Sequence, residues 1–428
     1  MGERPAGAVG DLLALARRRA SWAVPDLARR LGVTEETWDS WESGRRLPPV
    51  RRLEAISELL ELPAERIATV WMESVDSESS LSEVAVWLAR RGHARMARRL
   101  FARAVVLARR RGTYGQALEV RLRAADAELR WGDGRRARRQ LQSVRRSARA
   151  AGELRLQAVA EQLLGLSAGE RSDLERALQH HIVAYDTAQR EQAPGEEMAR
   201  VAINLGTVVL SLGLVQLAER WYRRALAMLA GEAPGRDEAR ARMGLGVALR
   251  RLGRAEEAFH QGRLALRAAR EAGADDLLPH ILLNVAIALT DAGRLHVARR
   301  IFTYLELHEP RTAREWAASF WPEAARAALL DGDFPEAEKA AKRALLAGAS
   351  GLDAALAHLA LGEVAAASQA APEATAQYRL AAEALQHELQ PQVWWIIESI
   401  LDSYRRSSGS GSAPAADLRQ KARHQGRR

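Results

Sequence analysis

LGTVVLSLGLVQLAERWYRRALAML, residues 205–229, places apolar side chains at i, i+3, i+4 and i+7 on either side of one break, Gly213. That period predicts two amphipathic helices joined by a tight turn. GLGVALRRLGRAEEAFHQGRLAL (244–266) repeats the pattern with its break at Gly253. Followed in both directions, the unit recurs about every 40 residues. Its second helix carries a column of Ala97, Ala137, Ala177, Ala218, Ala258, Ala298, Ala337 and Ala374. Seven residues further on stand Ala104, Val144, Ala184, Ala225, Ala265, Leu305, Ala344 and Ala381. At the turn, five residues before the first column, stand Gly92, Gly132, Ser172, Gly213, Gly253, Gly293, Gly332 and Gln369. One hairpin cannot bury both of its apolar faces, so neighbours must stack. Alanine lets helices approach closely, and a turn glycine predicts a left-handed end to the first helix.

On these columns residues 78–390 resemble the tetratricopeptide repeat (TPR) family. The family's Gly, Ala, aromatic and Ala positions are seen in Gly206, Ala218, Tyr222 and Ala225, and again in Gly362, Ala374, Tyr378 and Ala381. The period is longer than the family's 34 residues, and the unit around 158–190 is the weakest match. The resemblance implies a right-handed α-solenoid of about eight hairpins over residues 74–390. QVWWIIESILDSYRR (392–406) reads as a capping helix, in a segment bounded at 391–406, with Trp394, Trp395, Ile396 and Ile397 covering the exposed end. Residues 407–428 are small, polar and basic, and are expected to be disordered.

Residues 1–73 break the period. DLLALARRRA reads as one helix and VPDLARRLG as a second, ended by Gly32. Thr34 caps a third, TEETWDSWES, with Glu36 and Thr37 at capping-box distance, and VRRLEAISELL is a fourth beyond Pro48-Pro49. A Gly-containing turn followed by a capped helix fits a DNA-binding helix-turn-helix. LARRLGVTEETWDSWESGRRLPP is similar to the XRE (Cro and phage-repressor-like) family, with Trp41-Glu42, Gly44 and Pro48 matching its "WExGxxxP" stretch. The resemblance implies that Thr34, Glu35, Glu36, Thr37, Asp39 and Ser40 lie on the recognition helix, with Arg45 and Arg46 at phosphates. Where the family often has Ser-Gln, this chain has Ala23-Val24.

Charge runs against a simple DNA-binding head. Residues 1–73 carry 11 basic and 12 acidic groups, and the acids include Glu35, Glu36 and Asp39. Carboxylates repel the phosphate backbone, although they can accept from cytosine N4. Residues 74–150 carry 19 basic groups against 7 acidic ones, among them Arg90, Arg91, Arg95, Arg98, Arg99, Arg103, Arg135, Arg136, Arg138 and Arg139. These Arg supply the missing attraction, or they are simply a solvated outer helix face.

The chain has two Asn, Asn204 and Asn284, both two residues before the Gly/Ala column of the first helix. One turn earlier stand Arg200 and His280, with Arg240 at the equivalent place between them. An Asn amide both donates to and accepts from a peptide backbone. Arg followed four later by Asn resembles the carboxylate clamp of TPR co-chaperones. The ordinary alternative is two Asn satisfying neighbouring helix ends.

An XRE-like head on a TPR-like body resembles the peptide-sensing bacterial regulators of the RRNPP group. That resemblance implies a homodimeric, cytoplasmic transcriptional regulator whose solenoid senses a peptide or protein. The alternative is a TPR adaptor for an acidic or C-terminal peptide segment, its head used for protein contact. With 428 residues, 47% hydrophobic, and no Cys, the chain has no disulfide, Cys-ligated zinc or thiol nucleophile. It holds no apolar run long enough to span a bilayer, and MGERPAGAVGDLLALARRRA lacks the order of a signal peptide. No GxxxxGK[ST], HExxH or GxSxG occurs, and adjacent His180-His181 make a poor metal pair. The expectation is therefore no catalytic residue, no metal and no cofactor. The five tryptophans Trp22, Trp38, Trp41, Trp71 and Trp87 are expected to pack the head against the first repeat.

Overall fold

The computed structural model describes residues 7–112, 114–308 and 314–385. The capping helix expected at 391–406 and the tail at 407–428 lie outside the described residues. Within them stand twenty-one α-helices, one short 3-10 turn and no strand. The chain divides into two compact units, residues 1–194 and 195–428.

The first unit begins with α1 (Gly7–Arg19), α2 (Val24–Leu31), α3 (Glu35–Glu42), α4 (Val50–Leu59) and α5 (Ala64–Ser74). The last of these was not among the four helices expected. Three hairpins follow: α6 (Glu78–Arg90) with α7 (Ala94–Arg111), α8 (Tyr114–Trp131) with α9 (Gly134–Ala151), and α10 (Leu154–Gly169) with α11 (Leu174–Arg190). The second unit holds five: α12 (Gly195–Ser211) with α13 (Val215–Met228), α14 (Arg236–Arg251) with α15 (Ala255–Glu271), and α16 (Leu278–Asp291) with α17 (Leu295–His308). They are completed by α18 (Arg314–Leu330) with α19 (Phe334–Leu346), and α20 (Gly351–Ala367) with α21 (Ala371–Ala384). Within each unit the first helix of every hairpin packs on its own partner and on the first helix of the next, which is solenoid stacking.

Seven of the eight turn positions are left-handed, including Ser172 (φ 59°) and Gln369 (φ 61°), which lack glycine's freedom. At Gly92, for example, the amide donates to Ala89 O and the next amide, His93, to Leu88 O, closing a Schellman turn. Gly132 departs from the expectation. Its φ is not left-handed, and the Asp133 amide donates instead to the Glu128 side chain at 3.0 Å. A carboxylate oxygen there takes the place of a main-chain carbonyl. A Cβ on Gly132 would collide with that carboxylate.

The glycines on the first helices act through space. A Cβ at Gly206 would stand 2.9 Å from the Tyr222 ring, and one at Gly244 in the next hairpin would also strike it. Tyr222 is buried, with its hydroxyl 3.2 Å from Thr207 Oγ1. Gly362 meets Tyr378 in the same way. The weakest repeat follows this rule with a different ring: a Cβ at Gly165 would lie 2.5 Å from His181 Cε1. His181 is buried at 1% exposure, and its Nδ1 has no hydrogen-bond partner among the described residues. Its neighbour His180 instead bonds buried Glu161 at 2.7 Å, which also meets Arg145 at 3.5 Å.

Desolvation, with a smaller repulsion from His180, pulls the His181 pKa down to about 4 from 6.5. The unfolded chain therefore binds a proton that the folded chain refuses. This contribution to stability is complete above pH 6.5 and is lost as pH falls towards 4. The loss amounts to about 3 kcal/mol at most. Thermal melts from pH 7 to 4 are expected to fall more steeply for the native chain than for His181→Phe. Identical slopes would remove His181 as the cause.

Candidate functional site

The helix-turn-helix is α2, a turn, and α3. Gly32 ends α2 at φ 63°, ψ 43°, with its amide bonded to the α2 carbonyls. Thr34 then caps α3, its Oγ1 accepting from the Thr37 amide at 3.2 Å and lying 2.8 Å from Thr37 Oγ1. A cap of this kind contributes about 1 kcal/mol. Nothing caps α2: Ala23 offers no side-chain acceptor, and Pro25 only removes one amide that would need a partner.

Two side chains that the sequence reading passed over hold this motif in place. Arg52, from α4, donates through Nη1 to Leu31 O at 2.6 Å and through Nη2 to Gly32 O at 3.4 Å. It thereby clamps the carbonyls at the turn. Glu42, from the matched Trp-Glu pair, accepts from Arg17 Nε at 2.6 Å and from Trp38 Nε1 at 2.8 Å. Both partners are half-buried, and the hydrogen bond to Glu42 holds the Arg17 guanidinium above its ordinary pKa. Gly10 lets α1 lie directly against the Glu42 carbonyl, where a Cβ would clash. Beneath, Trp38 and Trp41 meet edge-to-face at 5.7 Å in the buried core.

The expected reading residues divide by exposure. Thr34, Glu35, Glu36 and Asp39 are exposed, and Thr37 and Ser40 are half-buried. Ser40 Oγ is turned back onto Thr37 O at 2.7 Å. Glu35 and Glu36 sit in the first turn of α3, where carboxylates stabilise the positive end of the helix. Arg45 and Arg46 are exposed just past the helix, Arg45 Nε donating to Ser43 Oγ at 2.9 Å. Arg46 makes no ion pair with a described residue.

The head is continuous with the first hairpin. One buried core runs from Val9 through Trp38, Trp41, Trp71 and Trp87 to Ala127, with Trp22 packed at its edge. Trp87 Nε1 donates to Glu54 Oε2 at 3.1 Å, and Arg91 pairs with the other oxygen of that carboxylate while lying 5.6 Å from the Trp87 ring. His93 Nδ1 reaches Glu65 at 2.7 Å. The five tryptophans thus pack as expected.

In the second unit, the structure brings together three of the five groove residues. Arg200 and Arg240 both hold Asp237, at 3.0 and 3.2 Å, and Arg240 Nη2 donates to Asn204 Oδ1 at 3.1 Å. Asn204 is 3% exposed. The fourth and fifth residues stand apart from this network. Asn284 Nδ2 is turned back to His280 O at 2.9 Å on their own helix, and His280 is exposed. Asp237, missed in the sequence, sits where a ligand carboxylate would meet the two guanidiniums. The signal lay three residues before Arg240, in the first turn of α14.

The geometry is that of a helix-turn-helix module ahead of stacked helical hairpins. Residues 8–70 match the family model described as a helix-turn-helix domain. In fold the chain is similar to a Rap protein crystallised in complex with competence and sporulation factor. That likeness covers 85% of this chain and 100% of the other, at 15% identity and a TM-score of 0.50. A second likeness is to the APC/C hetero-tetramer Cut9–Hcn1, over 94% of this chain and 74% of that one, at 13% identity and 0.50. A tetratricopeptide repeat protein from Parabacteroides merdae aligns over 68% of this chain and 99% of its own, at 16% identity and 0.46. No curated protein matches the sequence significantly. The chain therefore joins a helix-turn-helix domain to TPR-like hairpins. No helix among the described residues is long and apolar enough to cross a membrane.

Arg52→Ala leaves two carbonyls at the turn without their donor. It is expected to lower stability by about 1–2 kcal/mol and to speed amide exchange at residues 31–34. An unchanged melt and exchange pattern would show that the turn does not need the clamp.

Proposed function

We propose that the chain is a sequence-specific DNA-binding transcriptional regulator, homodimeric and cytoplasmic, whose hairpins sense a peptide or protein. The observation that carries this reading is the presentation of α3. It is capped at Thr34, clamped through Arg52 and Glu42, and leaves Thr34, Glu35, Glu36 and Asp39 in solvent. The XRE-like order of the head supports an assignment of Thr34, Glu35, Glu36, Thr37, Asp39 and Ser40 to base edges and of Arg45 and Arg46 to phosphates. The domain limits proposed are 1–73 for the head, 74–390 for the solenoid, 391–406 for its cap and 407–428 for a basic tail. A twofold dimer would set its recognition helices on half-sites about 34 Å, or a multiple of that, apart.

The groove of Arg200, Asn204, Arg240, His280 and Asn284 is proposed as the sensing site. The likeness in fold to a Rap protein crystallised with competence and sporulation factor supports this, and so does the resemblance to the RRNPP group. Asp237 engages both guanidiniums, so an incoming carboxylate must displace it. Regulation then needs the ligand to favour one dimer state over the other. The exposed acids on α3 favour a second reading, in which the head contacts protein and the hairpins act as an adaptor.

Selection of genomic fragments by the purified chain at about 150 mM salt separates the two, because non-specific attraction is then largely screened. Enrichment of a repeated or palindromic site is expected, and Arg45→Ala/Arg46→Ala should weaken it while lowering the salt slope by about 2. No enriched site would overturn the regulator in favour of the adaptor. At the groove, Asp237→Asn is expected to raise affinity for a carboxylate-bearing peptide about tenfold, a gain of about 1.4 kcal/mol, and Asn204→Ala/Asn284→Ala to abolish it. Titration by calorimetry reads both, and equal affinities across the three proteins would sink the site.

A further inference from the structure

The helices α7 and α9 differ from every other second helix among the described residues. Each carries seven Arg and no Asp or Glu. The equivalent helices α11, α13, α15, α17 and α19 all mix acids with bases. Of the fourteen Arg, Arg98, Arg111 and Arg145 form ion pairs, with Glu128, Asp76 and Glu161. The other eleven guanidiniums make no ion pair with a described residue.

Their placement follows from the helical period. The buried side chains of α9 are Ala137, Leu141, Val144 and Ala148. Arg135, Arg139, Arg146 and Arg149 fall on the opposite side, all exposed. Fourteen residues at 1.5 Å each spread this stripe over about 21 Å. On α7, Arg95, Arg99, Arg109 and Arg110 are exposed opposite a core face that includes Ala97, Leu100, Ala104 and Ala108. Arg98 of α7 and Arg136 of α9 line one cleft of about 170 Å³ together with residues of α8. Both helices pack on α8, so the two stripes belong to consecutive second helices of one unit.

We infer that this surface binds the phosphate backbone of duplex DNA, supplying the cations that the acidic recognition helix lacks. Unpaired like charges along two adjacent helices repel one another and are relieved by an extended polyanion, which releases its counterions on contact. Guanidinium forks fit phosphate oxygens bidentately. An anionic membrane is disfavoured, because insertion requires a free apolar face and those of α7 and α9 are already buried. The head shares a continuous core with the hairpin that carries α7, so both contacts belong to one unit. The inference rests on the DNA-binding reading, although it assigns the non-specific part of that binding to a different place.

The test compares the full chain with Arg135→Gln/Arg139→Gln/Arg146→Gln/Arg149→Gln. A charge-matched control, Arg220→Gln/Arg263→Gln/Arg270→Gln/Arg300→Gln, alters exposed positions in the second unit. Fluorescence anisotropy with a random-sequence 30-mer duplex, from 50 to 300 mM salt, reads affinity and salt slope, and melting curves check the fold. The α9 variant is expected to lose affinity at least tenfold and about 3 units of slope, with the control unchanged. Equal losses in both variants, or none in either, would overturn the surface. An enriched genomic site with no dependence on α9 would overturn this inference and leave the regulator intact. Salt-sensitive, α9-dependent duplex binding without a selected site would uphold the surface and remove the regulator. Dependence on α9 for phosphatidylserine vesicles, with no duplex binding, would overturn it in favour of a membrane.

Discussion

Three hairpins depend on one steric arrangement, a side chain of the second helix seated over a position on the first helix that has no side chain. Tyr222 lies between Gly206 and Gly244, so one ring contacts its own hairpin and the next. Any Cβ at either place would force the ring out and separate two first helices at once. Close packing transmits such a change, because interiors near crystal density have few voids to absorb it. The same seat accepts Tyr378 over Gly362 and His181 over Gly165. Histidine there carries a cost that tyrosine does not: a buried Nδ1 with no partner among the described residues and a charge state held neutral by desolvation.

Electrostatics divide the chain differently from packing. In the second unit, cations of one hairpin are matched to acids of a neighbouring one: Arg236 to Asp276 at 2.6 Å, Arg299 to Asp331 at 2.6 Å, Arg326 to Asp291 at 2.8 Å and Arg343 to Glu306 at 2.6 Å. Exposed pairs contribute little each, but a ladder spanning successive hairpins fixes their register. Hairpins α6–α7 and α8–α9 make such pairs at Arg98 with Glu128 and Arg145 with Glu161 but leave most of their second-helix Arg without one, since those helices hold no acid. Stability alone gives no reason for fourteen Arg on two helices, because like charges at helical spacing are mildly destabilising.

Much of this was legible in the sequence where a rule is local. The 40-residue period, the eight hairpins and the Thr34 cap follow from side-chain spacing and from backbone groups that need partners. Ser172 and Gln369 broke the glycine column yet kept its left-handed geometry, because the Schellman hydrogen bonds outweigh the modest cost of a Cβ there. Gly132 kept the residue and lost the geometry, since Glu128 supplied a side-chain acceptor from one turn away. What stayed hidden was contact across the chain. Arg52 reaches a turn 21 residues away, and Glu42 binds an Arg 25 residues away. Asp237 closes on Arg200 from 37 residues away. Nothing in spacing along one helix announces such partners.

The join between head and first hairpin bears on the regulation proposed for α3. A flexible linker would let the head move independently and would uncouple it from the hairpins. Here the Glu54 carboxylate is shared by Trp87 and Arg91, Glu65 meets His93, and the apolar core passes between them without a break. Moving α4 or α5 away from α6 would expose Trp71 and Trp87 and strip three polar groups of their partners. Each buried aromatic alone is worth about 2 kcal/mol or more. The head therefore moves with the first hairpin as one body, so any change in its placement must come from displacement of the hairpins themselves. Differential binding to two hairpin arrangements is then sufficient to alter where α3 is presented, with no rearrangement inside the helix-turn-helix.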